Sequence, residues 1–149
     1  MLAKDIMTRE VITVRKEDTV EDVIKLLLDH NVSGLPVVDE ENRVVGIITE
    51  GDLIYRSKNL HLPAYFTLLD SYIFLENPKN LETQIRKMAG YKVEEVMTAE
   101  VIVVNEEETI ETVATLMTEK KVNRIPVVKE DELVGVISRR DIIKAYASK

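Results

Sequence analysis

Residues Val44 to Leu53 read VVGIITEGDL, and residues Leu133 to Ile142 read LVGVISRRDI. Each stretch follows a run that ends in Pro-Val-Val, at Leu35 to Val38 and at Ile125 to Val128. The chain therefore contains one unit twice. Such self-similarity indicates a supersecondary structure built in two copies, so a binding site is expected to occur twice or to form between the copies.

The two copies align over most of their length. Met7 falls on Met97 at an offset of 90 residues, and Asp52 falls on Asp141 at an offset of 89 because one residue is lost in a turn. We therefore divide the chain into a first copy at residues 1–58, a linker or insert with short helices at 59–91, and a second copy at 92–149.

Each copy is predicted to fold as strand, helix, strand, strand, helix. Val11 to Val14 is short and rich in β-branched residues, as strands are. Thr19, followed three residues later by Asp22, predicts a helix that continues to about His30. A hairpin and a second helix follow, and the second copy repeats the order. The remaining predicted elements are strands Leu35–Val38 and Arg43–Thr49, a helix from Thr49–Asp52 to about Lys58, strand Val101–Val104, helix Thr109–Lys120, hairpin Ile125–Ser138 and a helix from Asp141.

The expected fold class is mixed α/β (α+β). Each copy would expose an apolar sheet face that it cannot bury alone, and packing the two about a pseudo-two-fold axis would bury both faces.

Aromatic residues concentrate in the insert and just before it. Leu81, Ile85 and Met88 have the spacing of a short amphipathic helix. Two interpretations of the aromatic residues stay open, namely ordinary core packing and a dimer or partner surface. These residues are Tyr55, Tyr65, Phe66, Tyr72 and Phe74.

Composition excludes several functional classes. The 149 residues carry a net charge of −7, which disfavours nucleic-acid binding because that requires a clustered basic face. Without cysteine, the chain has no thiolate zinc site and no thiol nucleophile. It shows no signal-peptide pattern and no apolar run of membrane-spanning length, so we expect a cytoplasmic protein. No serine, histidine and acid pattern suggests hydrolysis, and we expect neither an enzyme nor a metal site.

The two strand-to-helix junctions carry the chemistry. In Thr49-Glu50-Gly51-Asp52 and Ser138-Arg139-Arg140-Asp141, a hydroxyl residue ends a strand and a carboxylate follows three residues later. One interpretation is a capping box. The other is an anion site at the helix N-terminus, where the aspartate can accept hydrogen bonds from both hydroxyls of a ribose. Only the second junction supplies arginines for phosphate.

These motifs resemble a tandem pair of CBS motifs, known as a Bateman module. The resemblance rests on Met7-Thr8 and Met97-Thr98, on the VSGLPVVD and VNRIPVV stretches, and on the endings from Gly46 to Asp52 and from Gly135 to Asp141. It implies a stand-alone module that binds adenosine-containing ligands, namely AMP, ADP, ATP or S-adenosylmethionine, in two clefts that each draw on both copies.

The resemblance also implies which residues bind the ligand. The cleft that we favour takes Met7, Ile12, Val32, Ser33 and Gly34 for the adenine, Ser138 and Asp141 for the ribose, and Arg124, Arg139 and Arg140 for phosphate. The other cleft takes Met97, Ile102, Val122, Asn123 and Arg124, together with Thr49 and Asp52. In this second cleft Glu50 disfavours phosphate.

The expected function is therefore regulatory. An adenine nucleotide would bind, and its effect would pass to an unidentified protein partner. By the same resemblance the chain would form a homodimer through its helices. The alternative is a structural or protein-interaction module without nucleotide sensing, in which the aromatic insert docks another protein.

Overall fold

The computed structural model describes residues 1–59 and 89–148, with only the backbone of residues 55–59. The helix predicted around Leu81–Met88 and the aromatic residues at 65, 66, 72 and 74 lie outside the described residues, as does the side chain of Tyr55. The mixed α/β class is confirmed. The elements are α1 (Ala3–Ile6), α2 (Val20–His30), β1 (Gly34–Val38), β2 (Val44–Thr49), α3 (Glu50–Asn59), α4 (Val93–Val96), β3 (Val104–Asn105), α5 (Ile110–Lys120), β4 (Arg124–Lys129), β5 (Glu132–Ser138) and α6 (Arg139–Ala147).

The strands form two small sheets. β1 pairs with β2, and in the other sheet β4 lies between β3 and β5. β3 runs parallel to β4, whereas β5 is antiparallel to β4 with Ile125 opposite Ile137. Both of these isoleucines are fully buried, so the sheet presents its alternating apolar positions to the core.

The helix predicted from Thr19 is confirmed, together with its cap. Asp22 N donates to Thr19 Oγ1 at 3.2 Å, and Thr19 N donates to Asp22 Oδ2 at 3.1 Å. These two bonds satisfy backbone N–H groups that the first turn leaves free. The helix ends at Asn31, whose φ of 51° is left-handed, a conformation that asparagine tolerates better than most residues.

The first element of each copy differs from the prediction. Of Val11–Val14, only Val14 pairs, in a single parallel bridge to Val37, and in the second copy the strand is Val104–Asn105. Val14 is 2% exposed, so its apolar side chain reflects burial in the core rather than pairing in a longer strand. The four-residue helices α1 and α4 were not predicted, because one helical turn offers no periodicity to detect.

The chain folds into two compact units that do not coincide with the two copies. Unit 1 consists of Met1–Thr13, Val38–Val45 and Glu100–Lys149, and unit 2 consists of Val14–Val37 and Gly46–Ala99. We call residues 1–13 and 92–99 the lead segments of the first and second copies. Apart from the hairpin turn Val38–Val45 of the first copy, which belongs to unit 1, each unit thus combines the lead segment of one copy with the body of the other.

In unit 1 the first lead segment packs on the second copy. Ala3 N donates to Glu108 O at 2.7 Å, and Thr8 exchanges two backbone hydrogen bonds with Val136 at 2.9 and 3.0 Å. Lys4 Nζ lies 2.8 Å from Glu107 Oε1, and this hydrogen bond raises the pKa of Lys4. The core of unit 1 contains Ala3, Met7, Val104, Ile110, Val113, Met117, Ile125, Val127, Ile137, Ile142 and Ala145.

Unit 2 has the reciprocal arrangement. Val93 N donates to Asp18 O at 2.8 Å, and Thr98 exchanges two backbone hydrogen bonds with Ile47 at 2.8 and 2.9 Å. The lead segment of the second copy therefore sits on β2 as the first one sits on β5. The buried apolar residues of unit 2 include Val14, Val20, Val23, Leu27, Leu35, Val37, Ile48, Leu53, Val93 and Val96.

Candidate functional site

The junction between β5 and α6 is a complete capping box. Ser138 N and Ser138 Oγ both donate to Asp141 Oδ2, at 2.9 and 3.1 Å. In return, Asp141 N donates to Ser138 Oγ at 3.3 Å. The capping interpretation is therefore correct for Oδ2. It leaves Oδ1 available, because this oxygen has no hydrogen-bond partner among residues 1–54 and 89–148, whose side chains the structure describes.

The junction between β2 and α3 repeats this box. Thr49 N and Thr49 Oγ1 donate to Asp52 Oδ2 at 3.0 and 3.2 Å, and Asp52 N donates to Thr49 Oγ1 at 3.1 Å. Here the second carboxylate oxygen is also engaged, since Thr98 Oγ1 donates to Asp52 Oδ1 at 3.0 Å. The sequence analysis did not assign Thr98 to the site. The only signal for it was its alignment with Thr8 in the repeated Met-Thr pair.

The residues that precede β1 and β4 contact the junction of their own copy. Glu50 N donates to Ser33 O at 2.9 Å, and Arg139 N donates to Asn123 O at 3.0 Å. Arg139 Nη1 also lies 3.3 Å from Asn123 Oδ1. Each of these residues therefore lies beside the junction of its own copy, and the prediction that groups Ser33 with Asp141 and Asn123 with Asp52 in ligand clefts stays a prediction.

Arg124 is the first residue of β4 and lies directly opposite Ser138 in the antiparallel register. Asn123 and Arg124 therefore border the Ser138–Asp141 box within unit 1. Their position follows from the hairpin, because pairing of β4 with β5 brings the start of one strand to the end of the other.

The two methionines of the lead segments lie against the glycines of the repeated strands. A Cβ atom added at Gly135 would overlap the Met7 thioether, and one added at Gly46 would lie 2.5 Å from Met97 Sδ. Each methionine thus occupies space that only a glycine leaves open. Met7 belongs to unit 1 with Asp141, and Met97 belongs to unit 2 with Asp52.

The other predicted site residues are less tightly grouped. Ile12 and Ile102 belong to unit 1 and are half-buried, Gly34 is buried, and Val32 is exposed. Val122, Asn123 and Arg139 share a groove of about 450 Å³ between α5 and α6. The groove has an apolar floor that includes Met117 and Ile142, whereas Ser138 and Asp141 do not line it.

The charges at the two junctions differ as the sequence indicates. Arg139 and Arg140 are exposed at the start of α6, whereas the equivalent positions of α3 hold Glu50 and Gly51. Cationic side chains that carry several N–H donors suit phosphate, so only the second junction favours a phosphorylated ligand. Among the described residues, no cluster of three or more potential ligands could hold a metal ion, and no helix is long and apolar enough to cross a bilayer.

Comparison with known proteins identifies the repeated unit. A family model described as the CBS domain matches residues 3–59 and 93–148. The chain is 34% identical over 161 aligned residues to an uncharacterized protein of Methanocaldococcus jannaschii, covering 97% of this chain and 90% of the relative. It is 33% identical over 143 residues to inosine-5′-monophosphate dehydrogenase of the same organism, of which it spans 23%.

Two solved structures share the fold and hold ligands. CBSX2 in complex with AMP superposes with a TM-score of 0.74 at 27% identity, covering 99% of this chain and 97% of that one. The CBS domain pair of the protein MJ0100, in complex with 5′-methylthioadenosine and S-adenosyl-L-methionine, gives a TM-score of 0.72 at 26% identity with the same coverage.

Proposed function

Because the chain belongs to the CBS domain family, we propose that it is a regulatory module that binds an adenosine-containing ligand. The ligand is AMP, ADP, ATP or S-adenosylmethionine, and its binding is signalled to a partner protein. The observation that carries the proposal is the Asp141 carboxylate. Its Oδ2 holds the start of α6 while its Oδ1 has no partner among the described residues. Complexes of related CBS pairs with AMP and with S-adenosyl-L-methionine support the ligand class.

The surroundings of Asp141 suit the parts of a nucleotide. The carboxylate accepts hydrogen bonds from the ribose hydroxyls, and the exposed side chains of Arg139 and Arg140 reach the phosphates. We assign the adenine ring to main-chain groups at Asn123 and to the apolar side chain of Met7. The contacts of Asn123 with Arg139 place Asn123 beside the Asp141 junction within unit 1, so we propose that the ligand engages Asn123 together with Asp141.

Regulation requires that the ligand prefer one state of the protein. A ligand shifts a conformational equilibrium only by the difference between its affinities for the two states. The lead segments offer a means of coupling, because the strand that ends in Ser138 also carries Thr8 by two backbone hydrogen bonds. A ligand that binds Asp141 would therefore act through β5 on the hydrogen bonds that hold the first residues of the chain.

Thermal unfolding with AMP, ADP, ATP, NAD and S-adenosylmethionine at millimolar concentration tests the proposal. Binding to the native state alone adds about 2.7 kcal/mol at a hundredfold excess over Kd, which moves the midpoint by several degrees for a domain of this size. We expect Asp141→Asn to abolish most of the shift with the preferred ligand. Asp22→Asn is the matched control, because Asp22 caps α2 with the same geometry and lies outside the site.

The two variants separate ligand binding from capping. Both lower the midpoint of the ligand-free protein by loss of a cap, but only Asp141→Asn should lose the response to ligand. An equal loss of response in Asp22→Asn would assign the effect to stability. The absence of any shift in nucleotide-free wild-type protein would contradict nucleotide sensing and favour the interaction module.

We propose further that the chain forms a homodimer through its helices. Ile143 in α6 is 66% exposed, and Ile54, its equivalent in α3, is 49% exposed. Ile143 also borders the groove between α5 and α6. In a two-fold symmetric dimer the same surface of each chain contacts the other, and we propose that the exposed side chain of Ile143 lies in that contact.

Light scattering after size exclusion tests the dimer. We expect wild-type protein to be dimeric at tens of micromolar and Ile143→Glu to be monomeric. Val103→Glu is the control, because Val103 is 40% exposed but lies outside the helices. A monomeric wild-type protein, or equal dissociation by both variants, would contradict this proposal.

A further inference from the structure

We infer that Thr98 makes the two repeats unequal, by occupying the carboxylate oxygen of Asp52 that a ribose would need. Asp141 would then be the high-affinity acceptor of a ribose diol, and Asp52 the weak one. This inference rests on the proposed function. It assigns a specificity-determining role to Thr98, a residue outside the predicted binding set.

The carboxylates of Asp52 and Asp141 differ in how many of their hydrogen-bond acceptor positions are already occupied. A carboxylate offers about four lone-pair sites, two on each oxygen. At Asp52, Oδ2 accepts from Thr49 N and Thr49 Oγ1, and Oδ1 accepts from Thr98 Oγ1. At Asp141, Oδ2 accepts the two equivalent bonds from Ser138, and the described residues provide no donor to Oδ1. A vicinal diol brings two donors, and Asp141 alone has two positions for them.

The backbone holds Thr98 in place for this contact. Thr98 N donates to Ile47 O at 2.8 Å, and Ile47 N donates to Thr98 O at 2.9 Å. Met97 lies against Gly46 beside this pair. The hydroxyl of Thr98 is thus presented to the Asp52 carboxylate by a lead segment that is fixed on β2.

Thr8 provides an internal comparison. It exchanges the same two backbone bonds with Val136, at 2.9 and 3.0 Å. Within the described part of the chain, however, its hydroxyl donates to no carboxylate. Because both threonines share one backbone register, the inequality arises in the side chains and is open to substitution.

The effect should appear as discrimination between a ribose and a deoxyribose. Removal of the Thr98 hydroxyl returns one acceptor position to Asp52 Oδ1, so AMP should gain there while 2′-deoxy-AMP, which lacks one donor, should gain little. A single hydrogen bond to a charged carboxylate corresponds to roughly a tenfold to hundredfold change in affinity. A purely structural effect of Thr98→Val would instead change the binding of both nucleotides alike.

Calorimetric titrations with AMP and 2′-deoxy-AMP test the inference on the full chain. Asp141→Asn isolates the first copy. The double variant Asp141→Asn/Thr98→Val should bind AMP roughly tenfold to a hundredfold more tightly than Asp141→Asn alone, with a rise in the preference for AMP over 2′-deoxy-AMP. Asp52→Asn isolates the second copy, where Thr8→Val is the matched control and should leave both affinities unchanged. Without ligand, the carboxyl ¹³C resonance of Asp52 should shift in Thr98→Val, and that of Asp141 should not shift in Thr8→Val.

The outcomes are distinguishable. If wild-type protein binds AMP but Thr98→Val leaves the ribose preference of the first copy unchanged, the inference fails and the proposed function stands. Equal effects of Thr98→Val and Thr8→Val would also overturn it. If wild-type protein binds no adenosine-containing ligand, the proposed function and the inference fail together.

Discussion

Asn42 and Leu133 are joined by two hydrogen bonds. Leu133 N donates to Asn42 O at 3.0 Å, and Asn42 Nδ2 donates to Leu133 O at 3.0 Å. The turn of the first hairpin is thus fastened to the start of β5 in unit 1, and Arg43 adds an antiparallel bridge to Glu132.

Asn42 has a left-handed backbone with φ of 62°, and this gives the first prediction. Asn42→Ala loses the side-chain bond and places a Cβ in a strained conformation, so the free energy of unfolding should fall by about 1–2 kcal/mol. Asn42→Gly loses the bond but relieves the strain, so it should cost less. Urea unfolding of the two variants checks the order, and equal losses would show that the conformation contributes nothing.

Gly135 should not tolerate a side chain. A Cβ atom there would overlap the Met7 thioether and lie 2.7 Å from Met7 Cγ, so Gly135→Ala should destabilise the protein by about 1–3 kcal/mol. Gly51 is the matched control, because a Cβ there meets only Thr49 Oγ1 at 3.5 Å and alanine favours the helix by up to about 1 kcal/mol. Calorimetric midpoints that fall for both variants would contradict the packing argument.

Asp39 should make stability depend on pH in the acid range. The N–H of Arg43 donates to its Oδ1 at 2.9 Å and that of Glu41 at 3.0 Å, and these bonds lower the pKa of Asp39, the bond from Arg43 most. A lowered pKa in the folded state adds stability above the unfolded pKa, near pH 4, and this stability is lost as the pH falls through the folded pKa. The midpoint difference between wild type and Asp39→Asn should therefore shrink from pH 7 to pH 3. A constant difference would show that Asp39 is not a source of the pH dependence of stability.

Charge at the start of α6 should control the preference for phosphate. Arg140→Glu should weaken ATP binding by roughly tenfold and adenosine binding much less, since only ATP carries the anion that the arginine attracts. Lys144→Glu makes the same charge change one turn further along α6 and should have a much smaller effect. Similar losses of ATP affinity in the two variants, measured by calorimetry, would indicate a long-range electrostatic effect rather than a direct contact between Arg140 and phosphate.

Most of the fold follows from the repeat. The paired endings at Asp52 and Asp141 predict both strand-to-helix junctions, and the Thr19–Asp22 pattern predicts the start of α2 within one residue. These predictions succeed because caps and hairpins are determined by residues close together in the chain. The short helices α1 and α4 escape prediction because each is a single turn of four residues, which offers no periodicity to detect.

The site was predicted less completely. The hydroxyl and carboxylate pairs were found, because their spacing of three residues is visible in the sequence. The contacts of Ser33 with Glu50 and of Asn123 with Arg139 join residues that are far apart in the chain, so no local sequence pattern predicts them. Thr98 differs from Thr8 in that its hydroxyl donates to the carboxylate of Asp52. The sequence cannot show this difference, because both threonines follow a methionine in identical Met-Thr pairs.

The exchange of lead segments also determines how the protein could be divided. Unit 1 takes Met1–Thr13 from the start of the chain and Glu100–Lys149 from its end, so a cut between Asn59 and Leu60 separates the parts of a single core. The fragments 1–59 and 60–149 should each be poorly folded alone and should recover structure by complementation when mixed. The two repeats should therefore fold only as a pair, so that transplanting one repeat alone into another protein would carry only part of each core.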